Sequence, residues 1–264
     1  MPGFVGAPQV ISASATSTMT VHEPDPKDRL ILALDVATAD EANRLVDELD
    51  GLVSFYKVGY QLFLATGMQF VRDLVSGGKR VFLDLKMDDV EETITQGVRE
   101  IAKNDVDFLT IHGNGATARA AIEGRGDNDR PKILSVTLLS SLDEQDLIDL
   151  GILGKKGKFK SLDQYVLWRA QQAVDANVDG LIASGDTVAA TRKRVGDGPI
   201  LVTPGVRPKG IPTDDHKRHL TPMEAIASGA DYLVVGRPIR NADDRCEMAR
   251  SIIGEIEKGL DSRT

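Results

Sequence analysis

The 264-residue chain contains one cysteine, Cys246, so it cannot form an intrachain disulfide framework and has no thiolate cluster for a structural zinc. A reducing, cytoplasmic setting is the expectation. No apolar run reaches the 18 or so residues that a membrane-spanning helix needs. The first 26 residues hold neither Lys nor Arg, so they lack the basic start of a secretory signal and the arginines of a transit peptide. Rich in Ser, Thr, Ala and Pro, residues 1–27 read as a flexible tail. Basic charge is also in deficit: 32 Lys and Arg against 40 Asp and Glu leave a formal net charge of -8. Such a surface repels nucleic acid and anionic membranes, and any basic site must be local.

With 41% hydrophobic and 27% charged residues, the chain has the make-up of a globular protein. From Leu30 onward short apolar runs recur about every 25 residues, separated by amphipathic segments. The runs are Leu30 to Asp35, Ser54 to Val58, Arg80 to Leu85, Phe108 to His112, Lys132 to Thr137, Gly180 to Ala183, Ile200 to Pro204 and Tyr232 to Gly236. Their nearly continuous apolarity suits parallel strands covered on both faces. Between them lie helical spacings. Thr38 and Glu41 make a T-x-x-E capping box ahead of Ala42, Leu45, Val46 and Leu49. Val90, Ile94, Val98 and Ile101 follow the third strand, and Ala249, Ile252, Ile253 and Ile256 form the last helix. Eight alternations over residues 28–264 predict a single-domain α/β fold, a (β/α)8 barrel, with a doubly wound open sheet as the alternative.

Chemistry in such barrels sits at the C-terminal ends of the strands. Here those ends are polar: Asp35, Lys57, Asp84 with Lys86 and Asp89, His112, Thr137 with Ser140 and Ser141, Pro204 with Arg207, and Gly236 with Arg237. The segment Asp84 to Asp89 reads D-x-K-x-x-D. Two apart on a strand, Asp84 and Lys86 share a face and can both point into the barrel mouth. A lysine held charged between carboxylates can deliver a proton in a defined direction. An ordinary ion-pair network closing a barrel end would carry the same pattern. Glycine-bearing loops after the seventh and eighth strands, Pro204 to Gly210 and Gly236-Arg237, suit a phosphate group. A turn and a surface ion pair are the plainer alternatives. His112 reads as a hydrogen-bonded interior histidine, Tyr165 and Trp168 as packing residues, and Lys155, Lys156, Lys158 and Lys160 as a solvated face.

Taken together, the residues resemble the orotidine 5'-phosphate decarboxylase family over nearly all of 28–258. The likeness rests on Asp28 to Asp35, Tyr56 to Tyr60, Val81 to Lys86 with Asp89, Val136 to Ser141, Val202 to Pro208 and Val235 to Ile239. It implies decarboxylation of orotidine 5'-phosphate to UMP in pyrimidine biosynthesis, without cofactor or metal. On that resemblance Lys86 protonates C6 of the pyrimidine while Asp84 lies against the departing carboxylate. Asp35, Lys57 and Asp89 complete a charged network that reaches the ribose hydroxyls. Ser140 bonds the pyrimidine amide, and Gly236, Arg237 and the loop holding Pro204, Arg207 and Lys209 take the phosphate. Asp89 and Thr93 reach a partner's site in a homodimer. Departures from the family pattern are Lys209 for a common glutamine, Asp88 for a frequent histidine, and Glu91 and Glu92 before Thr93.

Two other functions share this frame. A Mg2+-dependent sugar-phosphate decarboxylase or aldolase of the same barrel also uses D-x-K-x-x-D, and needs an open metal position among the carboxylates. A nucleotide-binding barrel without catalysis would have no need for so many charges in one mouth.

Overall fold

A computed structural model describes residues 25–155, 157–185, 187–209 and 220–263. The expected tail falls outside these residues up to position 24, as does Lys156. Eight strands run in chain order: β1 (Leu30–Ala33), β2 (Phe55–Gly59), β3 (Arg80–Met87), β4 (Phe108–Ile111), β5 (Lys132–Val136), β6 (Gly180–Ile182), β7 (Ile200–Pro204) and β8 (Tyr232–Val235). Each pairs in parallel with the next, and β8 closes on β1 through Leu30 with Leu233 and Leu32 with Val235. That closure makes the sheet a barrel and removes the open-sheet alternative.

The helices are α1 (Ala39–Glu48), α2 (Tyr60–Ser76), α3 (Glu91–Ile101), α4 (Gly115–Arg125), α5 (Glu144–Asp149), α6 (Leu162–Asp175), α7 (Thr187–Val195), α8 (Pro222–Ala227), α9 (Arg237–Arg240) and α10 (Arg245–Asp261). Thr38 caps α1 by accepting the Glu41 N–H at 3.2 Å. The Glu41 carboxylate turns to the Ala37 N–H at 3.1 Å instead of that of Thr38, so the expected reciprocal box is half formed. Ala42, Leu45, Val46 and Leu49 are buried, as are Ile94, Val98 and Ile101 of α3 and Ala249, Ile252 and Ile256 of α10. Val90 departs from its expected place on the α3 face. It is the N-cap, with extended backbone, and is 68% exposed.

The two-residue period of the strands sorts side chains into two cores. Leu30, Leu32, Val58, Val81, Leu83, Leu109, Ile133, Leu181, Leu201 and Leu233 face outward onto the helices. Ile31, Phe55, Phe82, Phe108, Leu134, Val202 and Val234 fill the barrel itself. At the N-terminal end of the barrel the Arg80 guanidinium sits 4.0 Å from the centre of the Phe55 ring, with Phe108 and Tyr232 beside it. Asp107 holds that guanidinium through Nε at 3.1 Å. Between β5 and β6 the chain makes an excursion with its own small core of Leu138, Leu147, Leu153, Leu162 and Val166. Tyr165 and Trp168 pack there with Phe159, and Lys158 places its ammonium 4.6 Å from the Trp168 ring centre.

Candidate active site

Moving toward the C-terminal end of the barrel, inward positions change from apolar to charged: Ile31 and Ala33 lead to Asp35, Phe55 to Lys57, and Phe82 to Asp84 and Lys86. They open into a cavity of about 450 Å3, a size suited to a small molecule. Four of its side chains form a line of alternating charge. Lys57 Nζ lies 2.8 Å from Asp35 Oδ1 and 3.5 Å from Asp84 Oδ2, and Lys86 Nζ lies 2.8 Å from Asp84 Oδ1. Burial opposes the charge on Lys57, but the carboxylates of Asp84 and Asp35 outweigh it and hold the ammonium above its ordinary value. Burial opposes the charge on Asp84 as well. The Lys57 and Lys86 ammoniums, with hydrogen bonds from Lys86 and Thr110, override it and keep this carboxyl below the usual carboxylate range.

The backbone that presents Asp84 and Lys86 is irregular. The β3–β4 register runs from Leu83 opposite Leu109 to Met87 opposite Ile111, so Asp84, Leu85 and Lys86 share one opposing residue, Thr110. Lys86 has φ +43°, a left-handed conformation that costs a non-glycine residue about 1–2 kcal/mol. The Thr110 hydroxyl accepts the Lys86 N–H at 3.0 Å and donates to Asp84 Oδ1 at 2.8 Å.

The lining that follows β7 and β8 carries cations. Arg207, Arg237 and Arg240 stand there beside Pro204, Gly205 and Gly236. Arg207 is buried and donates to the Val206 carbonyl at 3.0 Å. Arg240 donates from Nη1 to the carbonyl of Asp35. Gly236 fits closely over the first strand: a Cβ there would lie 3.4 Å from Ala33 Cβ and 3.9 Å from Asp35 Oδ2. The rest of the wall is largely apolar, with Phe82, Val136, Leu138, Leu139, Ile182 and Val234, and Ser140 is its polar member. The charges of Asp35, Lys57, Asp84 and Lys86 balance one another, and three guanidiniums stand in the same lining. A small ligand with an anionic group matches guanidiniums in such a lining.

Of the residues singled out in the sequence, Asp35, Lys57, Asp84, Lys86, Ser140, Pro204, Arg207, Gly236 and Arg237 line the cavity. Asp89 and Thr93 do not: both are exposed at the entry to α3, and Asp89 accepts the Val90 N–H at 2.7 Å rather than joining the charged line within one chain. Lys209 is exposed at the edge of a loop whose residues 210–219 lie outside those described. His112 is half-buried beyond β4 and is not part of the lining. Burial, then the Arg169 and Lys86 cations against Asp88, keep its imidazole below the ordinary value. Thr137 donates to the Ile182 carbonyl at 2.8 Å, a strand-to-strand tie.

The family described as Orotidine 5'-phosphate decarboxylase / HUMPS matches residues 28–252. The chain belongs to this family. Similar proteins include the orotidine 5'-phosphate decarboxylase of Afipia carboxidovorans, 47% identical over 240 residues that make up 90% of this chain and 98% of that one. That of Bradyrhizobium diazoefficiens is 45% identical over 92% of this chain and 99% of its own. Among solved structures, orotidine 5'-phosphate decarboxylase from Lactobacillus acidophilus superposes with a TM-score of 0.74 at 31% identity, covering 87% of this chain and 99% of that one. Within this decarboxylase family frame, sequence reasoning missed Arg240 and Thr110. Arg240 follows Arg237 by three residues on a short helix, a spacing that places both near one face. Thr110 carries no such signal, since a threonine in a strand is ordinary. Among the described residues no helix is long and apolar enough to cross a membrane.

Proposed function

We propose that the protein decarboxylates orotidine 5'-phosphate to UMP and carbon dioxide, with Lys86 as the proton donor. The observation that carries this reading is the Asp84–Lys86 pair, 2.8 Å apart in a cavity that Arg207, Arg237 and Arg240 also line. The bond from C6 to the carboxylate carbon breaks and leaves its electron pair on C6. The Lys86 ammonium stabilises that charge as it develops and passes its proton to C6, after which the amine regains a proton from solvent. Asp84 faces the substrate carboxylate, a like charge that departure of carbon dioxide relieves. Asp35 and Lys57 meet the ribose hydroxyls and Ser140 the pyrimidine amide. Arg207, Arg237, Gly236 and the loop through Pro204 and Lys209 hold the phosphate. Binding energy from that remote group favours the transition state at the ring.

A homodimer completes the site, with Asp89 and Thr93 entering the partner's cavity. Supporting this, Tyr60 and Leu64 in the first turns of α2 and Val90 at the cap of α3 are 54%, 80% and 68% exposed, apolar side chains that association would cover. Sedimentation should give twice the chain mass, and a monomer would overturn the shared site.

The deciding experiment follows the ultraviolet absorbance of orotidine 5'-phosphate with purified protein, with and without a chelator, beside Lys86→Ala. Rapid conversion that ignores the chelator and disappears in the variant is expected. Conversion of a sugar phosphate instead, lost on chelation, would establish the Mg2+-dependent reading. UMP binding of ordinary affinity with orotidine 5'-phosphate left unconsumed would establish the binding-only barrel.

A further inference from the structure

We propose that Thr110 is a positioning residue for the reaction, its hydroxyl locking the Asp84–Leu85–Lys86 bulge so that ammonium and carboxylate face the reacting carbon together. The inference rests on Lys86 being the proton donor. Three residues of β3 stand opposite Thr110 alone, and this takes Lys86 out of the regular strand ladder. Its N–H is met by the Thr110 hydroxyl oxygen at 3.0 Å instead. The same hydroxyl spends its one proton on Asp84 Oδ1 at 2.8 Å, and that oxygen also receives the Lys86 ammonium at 2.8 Å. A closed ring results: Lys86 N–H, Thr110 Oγ1, Asp84 Oδ1, Lys86 Nζ. It ties the end of the lysine side chain to the lysine's own backbone.

Thr110 is fully buried and does not line the cavity, so it acts on the reaction through Asp84 and Lys86. Beyond the bulge the ladder resumes with the His112 N–H on the Met87 carbonyl at 2.9 Å, which confines the irregularity to the stretch that Thr110 braces. A left-handed Lys86 in the midst of a strand persists only where its surroundings fix it. Thr110 supplies the polar contact that joins the two charged residues, since a hydroxyl can accept and donate at once, while the Tyr60 hydroxyl donates to the Leu85 carbonyl between them.

The test compares Thr110→Val, which keeps the branched shape, with Thr110→Ser, which keeps the hydroxyl, and measures Lys86→Ala in parallel. In Thr110→Val, kcat should fall about 10- to 100-fold, the scale of a small misplacement of reacting groups. Its KM and its affinity for UMP should stay within about threefold, because ligand contacts are untouched. Thr110→Ser should recover most of kcat. Wild-type turnover in Thr110→Val while Lys86→Ala is inactive would overturn the inference and leave the proton donor standing. An active Lys86→Ala would overturn both. A Thr110→Ser as slow as the valine variant, or UMP affinity lost in step with kcat, would assign Thr110 to packing and also overturn it.

Discussion

Arg240 reaches from the short helix after the last strand to the backbone carbonyl of Asp35 after the first, so one guanidinium spans the seam at which the barrel closes. Its Nε is buried without a partner, and the side chain lines the cavity beside Arg207 and Arg237. An anionic group at this end of the cavity finds its cation already anchored.

Arg240→Ala should therefore raise KM for the phosphorylated substrate by at least about tenfold, the scale of one charge-assisted hydrogen bond, and lower kcat less. Steady-state kinetics would show it. An unchanged KM would confine Arg240 to holding the seam.

Lys86→Arg keeps a positive charge beside Asp84 but replaces the proposed proton donor with a group that does not give up its proton in proteins. The decarboxylation rate should drop on the order of 100- to 10,000-fold, the range of general acid catalysis, in a protein that still binds UMP. Single-turnover absorbance measurements read this directly. Near-normal turnover would mean that charge alone suffices at position 86.

Lys57 is 8% exposed and faces both Asp35 and Asp84. Lys57→Met would leave two carboxylates without the cation between them, and the protein should lose about 3 kcal/mol of stability at neutral pH. Urea denaturation checks it, and an unchanged midpoint would show that solvent already screens the pair.

Stability should also be bounded in pH by this cluster. The folded-state value of Asp84 lies below its ordinary 3.8, so its contribution is complete above about pH 4 and is lost as pH falls through the lower folded value. For Lys57, held above 10.5, the contribution is complete below that pH and is lost as pH rises through the higher folded value. Thermal midpoints of Asp84→Asn should fall less steeply than wild type on the acid side. Parallel slopes would remove Asp84 from the acid transition.

Much of the barrel was legible because strands buried on both faces must be continuously apolar, and runs such as Ile200 to Pro204 match β7 residue for residue. Strand ends were less so: Asp35 and His112 lie past β1 and β4, since polar residues at the mouth leave the ladder for the cavity or solvent. Asp84 and Lys86 were legible as a pair but not as a bulge, because nothing in D-x-K-x-x-D announces a positive φ. Val90 misled for a physical reason: it continues the helical period of α3, yet sits one residue outside the helix on an exposed rim. Thr110 and Arg240 gain their meaning from partners 24 to 26 and 205 residues away, a relation that only folding creates.

Arg80, stacked on Phe55 and flanked by Phe108 and Tyr232, stoppers the barrel at the end away from the cavity. A gas molecule freed in the cavity meets, on that side, an interior packed with Phe55, Phe82 and Phe108. The doorway by which the nucleotide arrives then serves both products, whether carbon dioxide squeezes past bound UMP or waits until UMP has gone.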